Sequence, residues 1–414
     1  MAQRFKRGLI TTSGMLALAL AIFGCAISGG GTSGGGGTTS GPTATPTPPP
    51  FALAWFQTDS AGVGQVWASL NGGAPRQITH LTVPSGECVR DDNFVPPIFS
   101  PDLRHIVTSW SITSCGDIGP ANDLYVVDVS TGAANLVARD PGGLYFLRQR
   151  SAGWIDNSTL WFIDQLNVER ATIGGAPTTL ATIGTDTGSH QITLMDAVLR
   201  GHTLFYVTET INTITSGSNV EYDYALKRFD LSSRATLGGS VNLGSAWDCQ
   251  CTAHAAYANS GLTPGFDVSS DGSHVVYQRV APNSSTTSSG VASSQFFYAN
   301  ADGSGASRIA SYATATSFAP MQLAPNGEMV AVTHALPAPS VLTASVTSPG
   351  SRGDPGLTFY TTNAGSYPAW SGDGRRFWAS TSFISGDLVQ FTLGTPAGAV
   401  VTPGGHNPWS GIGS

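Results

Sequence analysis

From Phe51 onward, short apolar runs alternate with turn residues, and one stretch shows the pattern most clearly. In Tyr367 to Thr381, small and aromatic residues up to Ser371 suit a crowded inner strand. Gly372, Asp373 and Gly374 supply a tight turn, and Phe377, Ala379 and Thr381 then alternate with Trp378 and Ser380, as in a strand packed on both faces. An Asp in a turn can accept hydrogen bonds from the backbone just ahead of it, and Gly takes positive φ at little cost.

Weaker copies of this hairpin lie at Pro97 to Trp110, Ala152 to Asp164, Asp196 to Thr208, Gly265 to Gln278 and Met321 to His334. Their turns fall at Asp102, Asp156, Arg200, Asp271, Asn326 and Asp373, so successive steps are 54, 44, 71, 55 and 47 residues. Most copies are followed by a second strand pair with a Gly-containing or polar turn, as at Asp123 to Ala138, Glu169 to Thr182, Ala225 to Gly239 and Phe296 to Ala310. Four antiparallel strands per unit of about 50 residues predict an all-β fold of radially arranged blades, a β-propeller.

The segments SPDLRHIV, SSDGSHVVY and YANADGSGASRI resemble the TolB-type, WD40-like propeller repeat, with its Ser-Pro-Asp-Gly turn and a strand ending in an Asp-Gly turn. The resemblance spans roughly Phe51 to Trp409. It implies a propeller acting in envelope protein assemblies, although this chain carries no separate α/β domain ahead of the repeats.

Phe51 to His80 supplies three strands without an inner one, whereas His406 to Gly411 resembles Tyr367 to Gly372 and has no outer strands after it. The C-terminal strand is therefore expected to complete the first blade, covering two strand edges that would otherwise be exposed. That gives seven four-stranded blades. Six or eight stay open, because no fourth strand is evident after Leu357 to Thr362.

The N-terminal region has a different character. Met1 to Gly24 reads as an export signal: Arg4, Lys6 and Arg7 precede an apolar run from Leu9 to Phe23. Ile22 to Cys25 resembles the lipobox of bacterial lipoproteins, which makes Cys25 the candidate lipidated residue. An ordinary signal or membrane anchor is the plainer alternative. Residues 25–50 then form a Gly/Ser/Thr/Pro-rich tether that spans at most about 80 Å, ahead of the propeller at 51–414. Ser33 sits in a formal GxSxG, but without the strand and helix that a nucleophile elbow requires.

Formal charge is −7, and loss of the three basic residues of the signal makes the mature chain −10, which argues against nucleic acid as a partner. The bacterial cell envelope, on the extracytoplasmic side, is the expected location. The membrane would be engaged through the lipid anchor alone, and a monomer is expected.

Long insertions at Leu81 to Val95, Ser111 to Asn122, Thr210 to Glu221, Ser245 to Thr263, Ala281 to Ser294 and Leu336 to Gly356 fall in the two connection classes that share one face of a propeller. Cys88, Cys115, Cys249 and Cys251 all lie in them. In an exported chain they read as disulfides, Cys88 with Cys115 on neighbouring strands and Cys249 with Cys251 by exclusion. The close set Asp248, Cys249, Cys251 and His254 leaves metal binding or a strained redox pair as alternatives.

Trp247, Asp248, His254, His334, His406 and Trp409 are the candidates for the binding face. No catalytic motif, resident metal site or cofactor site is recognisable. Two functions remain: a binding or scaffold protein for a protein, peptide or glycan, through the long-loop face or the channel mouth, and a propeller enzyme, a lyase or hydrolase of polysaccharide or peptide. The missing catalytic motif favours binding.

Overall fold

The computed structural model describes residues 50–83, 87–90, 95–114, 122–139, 141, 150–183, 192–213, 219–249, 264–282, 291–312, 321–334, 340–346, 358–361, 368–381 and 386–412. The segment read as an export signal, Cys25 and all of the expected tether but Pro50 lie outside these residues. The described chain is all-β and propeller-like.

Its strands form six sheets. The first runs Arg76–Gln77, Gly64–Leu70, Phe51–Thr58 and Gly405–Ile412, so the C-terminal strand pairs antiparallel with the first strand, Phe51 opposite Ile412 and Ala54 opposite Trp409. The second places Ile98–Phe99 and Glu87–Arg90 along one edge of His105–Ser114, followed by Asn122–Asp128 and Ala134–Ala138. The third is Ala152–Trp154, Thr159–Asp164, Asn167–Thr172 and Thr178–Thr182.

The fourth sheet has nine strands. Ile192–Arg200, Thr203–Thr213, Asn219–Asp230 and Val241–Cys249 form one antiparallel run, with Ala235–Thr236 beside it. Phe266–Val268, His274–Pro282, Val291–Asn300 and Ser307–Tyr312 form another. The runs meet through one parallel pairing, Gly244 with Val280. Gly is required there: at φ +92°, an added Cβ would lie 1.8 Å from the Val280 carbonyl oxygen. Met321–Leu323, Met329–His334, Ser340–Ser345 and Thr358–Thr361 make the fifth sheet, and Ala369–Trp370, Arg376–Ser380, Leu388–Thr392 and Thr395–Thr402 the sixth.

The fifth sheet corrects the reading of that repeat. Ser340–Ser345, inside the segment taken for a long insertion, is its third strand, and Thr358–Thr361 is the fourth rather than the third. Other expected insertions also begin or end as strand. Thr210–Thr213 continues to pair with Val220–Asp223, and Glu87–Arg90 pairs with Ser111–Ser114.

Strand alternation sends consecutive residues to opposite sheet faces, and the core follows from it. Phe56 and Val66 of the first sheet pack on Ile106 and Trp110 of the second. Val107 and Val126 of the second meet Leu160 and Phe162 of the third, while their neighbours Trp161 and Ile163 meet Leu204 and Tyr206 of the fourth. Phe205 and Leu243 pack on Phe266 and Tyr277 within the fourth, Val276 and Phe296 on Met321 and Val330, and Ala331 and Val341 on Trp370 and Phe377. Trp378 and Leu388 of the sixth sheet return to Leu53 and Trp55 of the first. The apolar interfaces thus close into a ring.

The repeated turn is explained by local bonding. Ser371 Oγ donates to Asp373 Oδ1 at 2.6 Å and accepts from the Arg376 amide at 2.9 Å, while the Arg375 amide donates to Asp373 at 3.0 Å. Ser100 with Asp102 and Ser269 with Asp271 repeat the arrangement. The Ser371 hydroxyl, then the Arg375 amide, holds the Asp373 carboxyl below its ordinary value.

Candidate binding site in the axial cavity

The inner strand of each propeller repeat contributes to one axial cavity of about 510 Å³. Its wall includes Phe99, Trp154, Val198, Asp267, Gln322, Trp370 and Trp409, together with residues entering the short turns, among them Ser100, Arg200, Ser270 and Pro325. The cavity therefore lies at the short-turn end of the axis.

Two indoles of this wall staple neighbouring sheets. Trp154 Nε1 donates to the Ile98 carbonyl and Trp370 Nε1 to the Gln322 carbonyl, each at 2.9 Å. Bonds of this kind satisfy the polar end of a ring whose body fills an apolar interface. Trp409, half-buried, lines the cavity from the closing strand.

An ion cluster forms part of the wall. Arg150, immediately before the inner strand of the third sheet, is 3% exposed, and Asp196 and Asp267, on the two inner strands of the fourth, are 1% and 3% exposed. Arg150 Nε donates to Asp196 Oδ1 at 3.0 Å and Oδ2 at 3.2 Å, its Nη2 also reaches Asp196, and Nη1 donates to Asp267 Oδ1 at 3.0 Å. Asp267 Oδ2 accepts from the Leu323 amide at 2.7 Å, which ties in the fifth sheet. The Arg150 guanidinium also lies 4.7 Å from the centre of the Phe266 ring.

Arg200, at the end of the same inner strand as Asp196, lies 3.7 Å from Asp267 and keeps about a third of its side chain accessible. Burial pulls its guanidinium below the ordinary value, opposed by the Asp267 charge and reinforced by Arg150. Arginine nevertheless stays protonated at such shifts. The lining thus carries two guanidiniums, of Arg150 and Arg200, and one carboxylate, of Asp267.

Several expected site residues lie elsewhere or beyond description. His406 is fully buried rather than on a binding face. It stacks on Phe56 at 6.0 Å, because its strand position points between the first and second sheets. Trp409 does face the cavity. Trp247 and Asp248 belong to the strand ending at Cys249, and His334 ends its own strand, but their side chains, like that of Cys249, lie outside the described residues.

The strand register sets Cys88 opposite Thr113, two residues before Cys115 in sequence. The Cys88 side chain, and Cys115, Cys251 and His254 entirely, lie outside the described residues. Among the described residues, no group of three or more His, Cys, Asp or Glu could hold a metal ion.

The sequence reading missed Arg150, Asp196, Arg200 and Asp267 as site residues, since the partners of Arg150 are 46 and 117 residues away. One signal was present. In a chain with only 11% charged residues, Asp196 and Asp267 occupy inner strands beside apolar neighbours, where a charge persists only if it is paired.

No family model matches this chain, and no curated protein does. Solved structures do resemble it. A provisionally assigned 6-phosphogluconolactonase from Bacteroides fragilis aligns over 90% of this chain and all of its own, at TM-score 0.50 and 11% identity. A second, from Bacteroides uniformis, aligns over 88% of this chain and all of its own, at TM-score 0.49 and 12% identity. A provisionally assigned TolB from Agrobacterium tumefaciens covers 76% of this chain and 89% of its own, at TM-score 0.34 and 13% identity. At these identities the likeness concerns the fold alone.

Proposed function

We propose that this chain is a lipid-anchored, extracytoplasmic binding protein, a seven-bladed propeller that takes a peptide or glycan segment into its axial cavity. The blade count rests on reading the nine-stranded sheet as two adjacent blades, joined where Gly244 lets two backbones touch. The closed series of apolar interfaces supports that count.

One observation carries the choice of binding over catalysis. Asp267, the carboxylate of the cavity lining, and Asp196 beside it both accept hydrogen bonds from Arg150 and are buried with it. A general acid or base needs a carboxyl that can reach substrate and exchange a proton with it, whereas these two carboxylates are turned to Arg150 and almost inaccessible. The rest of the lining, mostly apolar side chains with several indoles and a few polar groups, has the composition of a recognition pocket.

Lipidation at Cys25, disulfides Cys88–Cys115 and Cys249–Cys251, and a monomeric state complete the proposal. The long-loop face, expected to meet the partner, falls largely outside the described residues, so the cavity is the better-supported site.

The test is a screen of glycan and peptide arrays with the intact protein and with Trp409→Ala, whose thermal midpoint is measured alongside. Mass spectrometry of each bound ligand after incubation accompanies the screen. Binding weakened by the substitution, with the ligand recovered intact, supports the reading. A ligand recovered cleaved would replace it with the propeller enzyme.

A further inference from the structure

We infer that the axial cavity takes a small sugar acid, a ring bearing one carboxylate or phosphate, with Arg200 as the group that grips its anion. This rests on the cavity being the binding site, as proposed above.

The argument begins with the donors of Arg200. Its Nε is shared between the carbonyls of Val268 and Ser269 at 3.3 Å each, Nη2 donates to Val268 at 3.2 Å, and Nη1 donates to Leu199 at 3.1 Å. A guanidinium has five N–H groups, so these bonds leave one on each terminal nitrogen. Asp267 Oδ1, at 3.7 Å from Nη2, is too far to accept it. Two neighbouring N–H groups on one rigid plane form the fork that matches the two oxygens of a carboxylate or phosphate. The backbone bonds fix that fork in place before any ligand arrives, which lowers the ordering cost of binding.

The second observation is Gln322. Gln322 lines the cavity, and its side-chain Oε1 is inaccessible and has no hydrogen-bond partner among the described residues, while its backbone carbonyl is occupied by Trp370. A buried acceptor without a donor is costly, and a ligand hydroxyl would satisfy it once the side-chain amide turns toward the cavity. The cavity thus asks for an anion at Arg200 and a hydroxyl donor at Gln322, between walls that include the accessible indoles of Trp154 and Trp409. A pyranose acid offers all three: an oxyanion, hydroxyls, and an apolar ring face to lie on indole. The charged lining residues are Arg150, Arg200 and Asp267, a net charge of +1, and the cavity volume is within the range of small-ligand sites.

The experiment titrates the full-length protein in detergent with glucuronate, glucose 6-phosphate, inorganic phosphate and glucose. Binding is read by tryptophan fluorescence and calorimetry. The expected result is that glucuronate or glucose 6-phosphate binds at least about tenfold more tightly than glucose, a difference of about 1.4 kcal/mol. Whichever acid binds better identifies the carboxylate or the phosphate form. Arg200→Gln should erase the preference for the acids over glucose, and Gln322→Leu should weaken acid and neutral sugar alike. Where Arg200→Gln fails to fold, Arg200→Lys decides, since it keeps the charge without the fork and should lose several-fold in preference.

Equal affinity for glucose and both acids, or a preference that survives in a folded Arg200 variant, would overturn the inference. Inorganic phosphate binding as tightly as glucose 6-phosphate would overturn the sugar part of it. An uncharged ligand that binds and depends on Trp409 would sink the sugar acid but spare the cavity. Array binding indifferent to Trp409 would sink both.

Discussion

Arg150→Met isolates what the buried ion cluster contributes. The substitution keeps most of the side-chain volume and removes the guanidinium that bonds Asp196 and Asp267, both nearly inaccessible. Breaking a buried pair from one side leaves carboxylate charge desolvated, at a cost of about 3–5 kcal/mol. Asp267 retains the Leu323 amide and the nearby Arg200, so the loss is expected within this range rather than above it. For a domain of roughly 360 residues, an unfolding entropy of about 2.1 cal/mol/K per residue gives about 0.75 kcal/mol/K, and the expected fall in Tm is about 4–7 °C.

The assay is calorimetry on the mature protein, with Asp196→Asn and the double variant completing a cycle. Asparagine removes the charge that Arg150 neutralises, so the double variant should lose about 1.5 kcal/mol or more less than the sum of the single ones. A fall in Tm below about 1 °C, or additive single variants, would refute the claim that the cluster is a coupled buried network.

Three further outcomes follow from the fold. Ending the chain at Gly404 removes the strand that pairs with Phe51–Thr58 and bares its edge, so the truncated protein should aggregate, as light scattering would report, where the full chain stays dispersed. Gly244→Ala should cost about 2 kcal/mol or more because of the Val280 carbonyl, whereas Gly62→Ala, at φ +81° with no atom within 4 Å, should cost only about 1 kcal/mol; denaturant midpoints of the two variants check this.

Asp128, held at about 2 by the Ser130 hydroxyl and then the Thr131 amide, and Asp373, also lowered, have folded values below unfolded ones. Their contribution is therefore present above about pH 4 and lost as pH falls toward 2. The Tm should decline through that window, and Asp128→Asn should flatten part of the decline.

What was legible in the sequence was what local chemistry determines. The Ser-x-Asp turn could be read at Ser371 and Asp373 because its bonds span only a few residues, and the kinship of Tyr367 to Gly372 with His406 to Gly411 pointed to the shared strand. Ser340–Ser345 was hidden because its flanks read as insertion, and its residues become a strand only between Met329–His334 and Thr358–Thr361. His406 looked like a surface candidate because a single histidine carries no sign of which way its strand faces. The Arg150 cluster could not be read from spacing at all, because its members lie at the third and fourth sheets and meet only as these pack side by side within the closed ring.

That closure also governs how the molecule must be made. The pairing of Phe51 with Ile412 joins residues 361 apart, and closing a loop of that length costs about 5 kcal/mol of chain entropy, against about 1.4 kcal/mol for a five-residue hairpin. Phe51–Thr58 cannot gain its inner neighbour until Gly405–Ile412 is available. Completion of the first sheet thus waits until residues 405–412 have been made, with the Phe51–Thr58 edge open in the meantime, and a chain cut before them forfeits the seam that closes the ring rather than a dispensable tail.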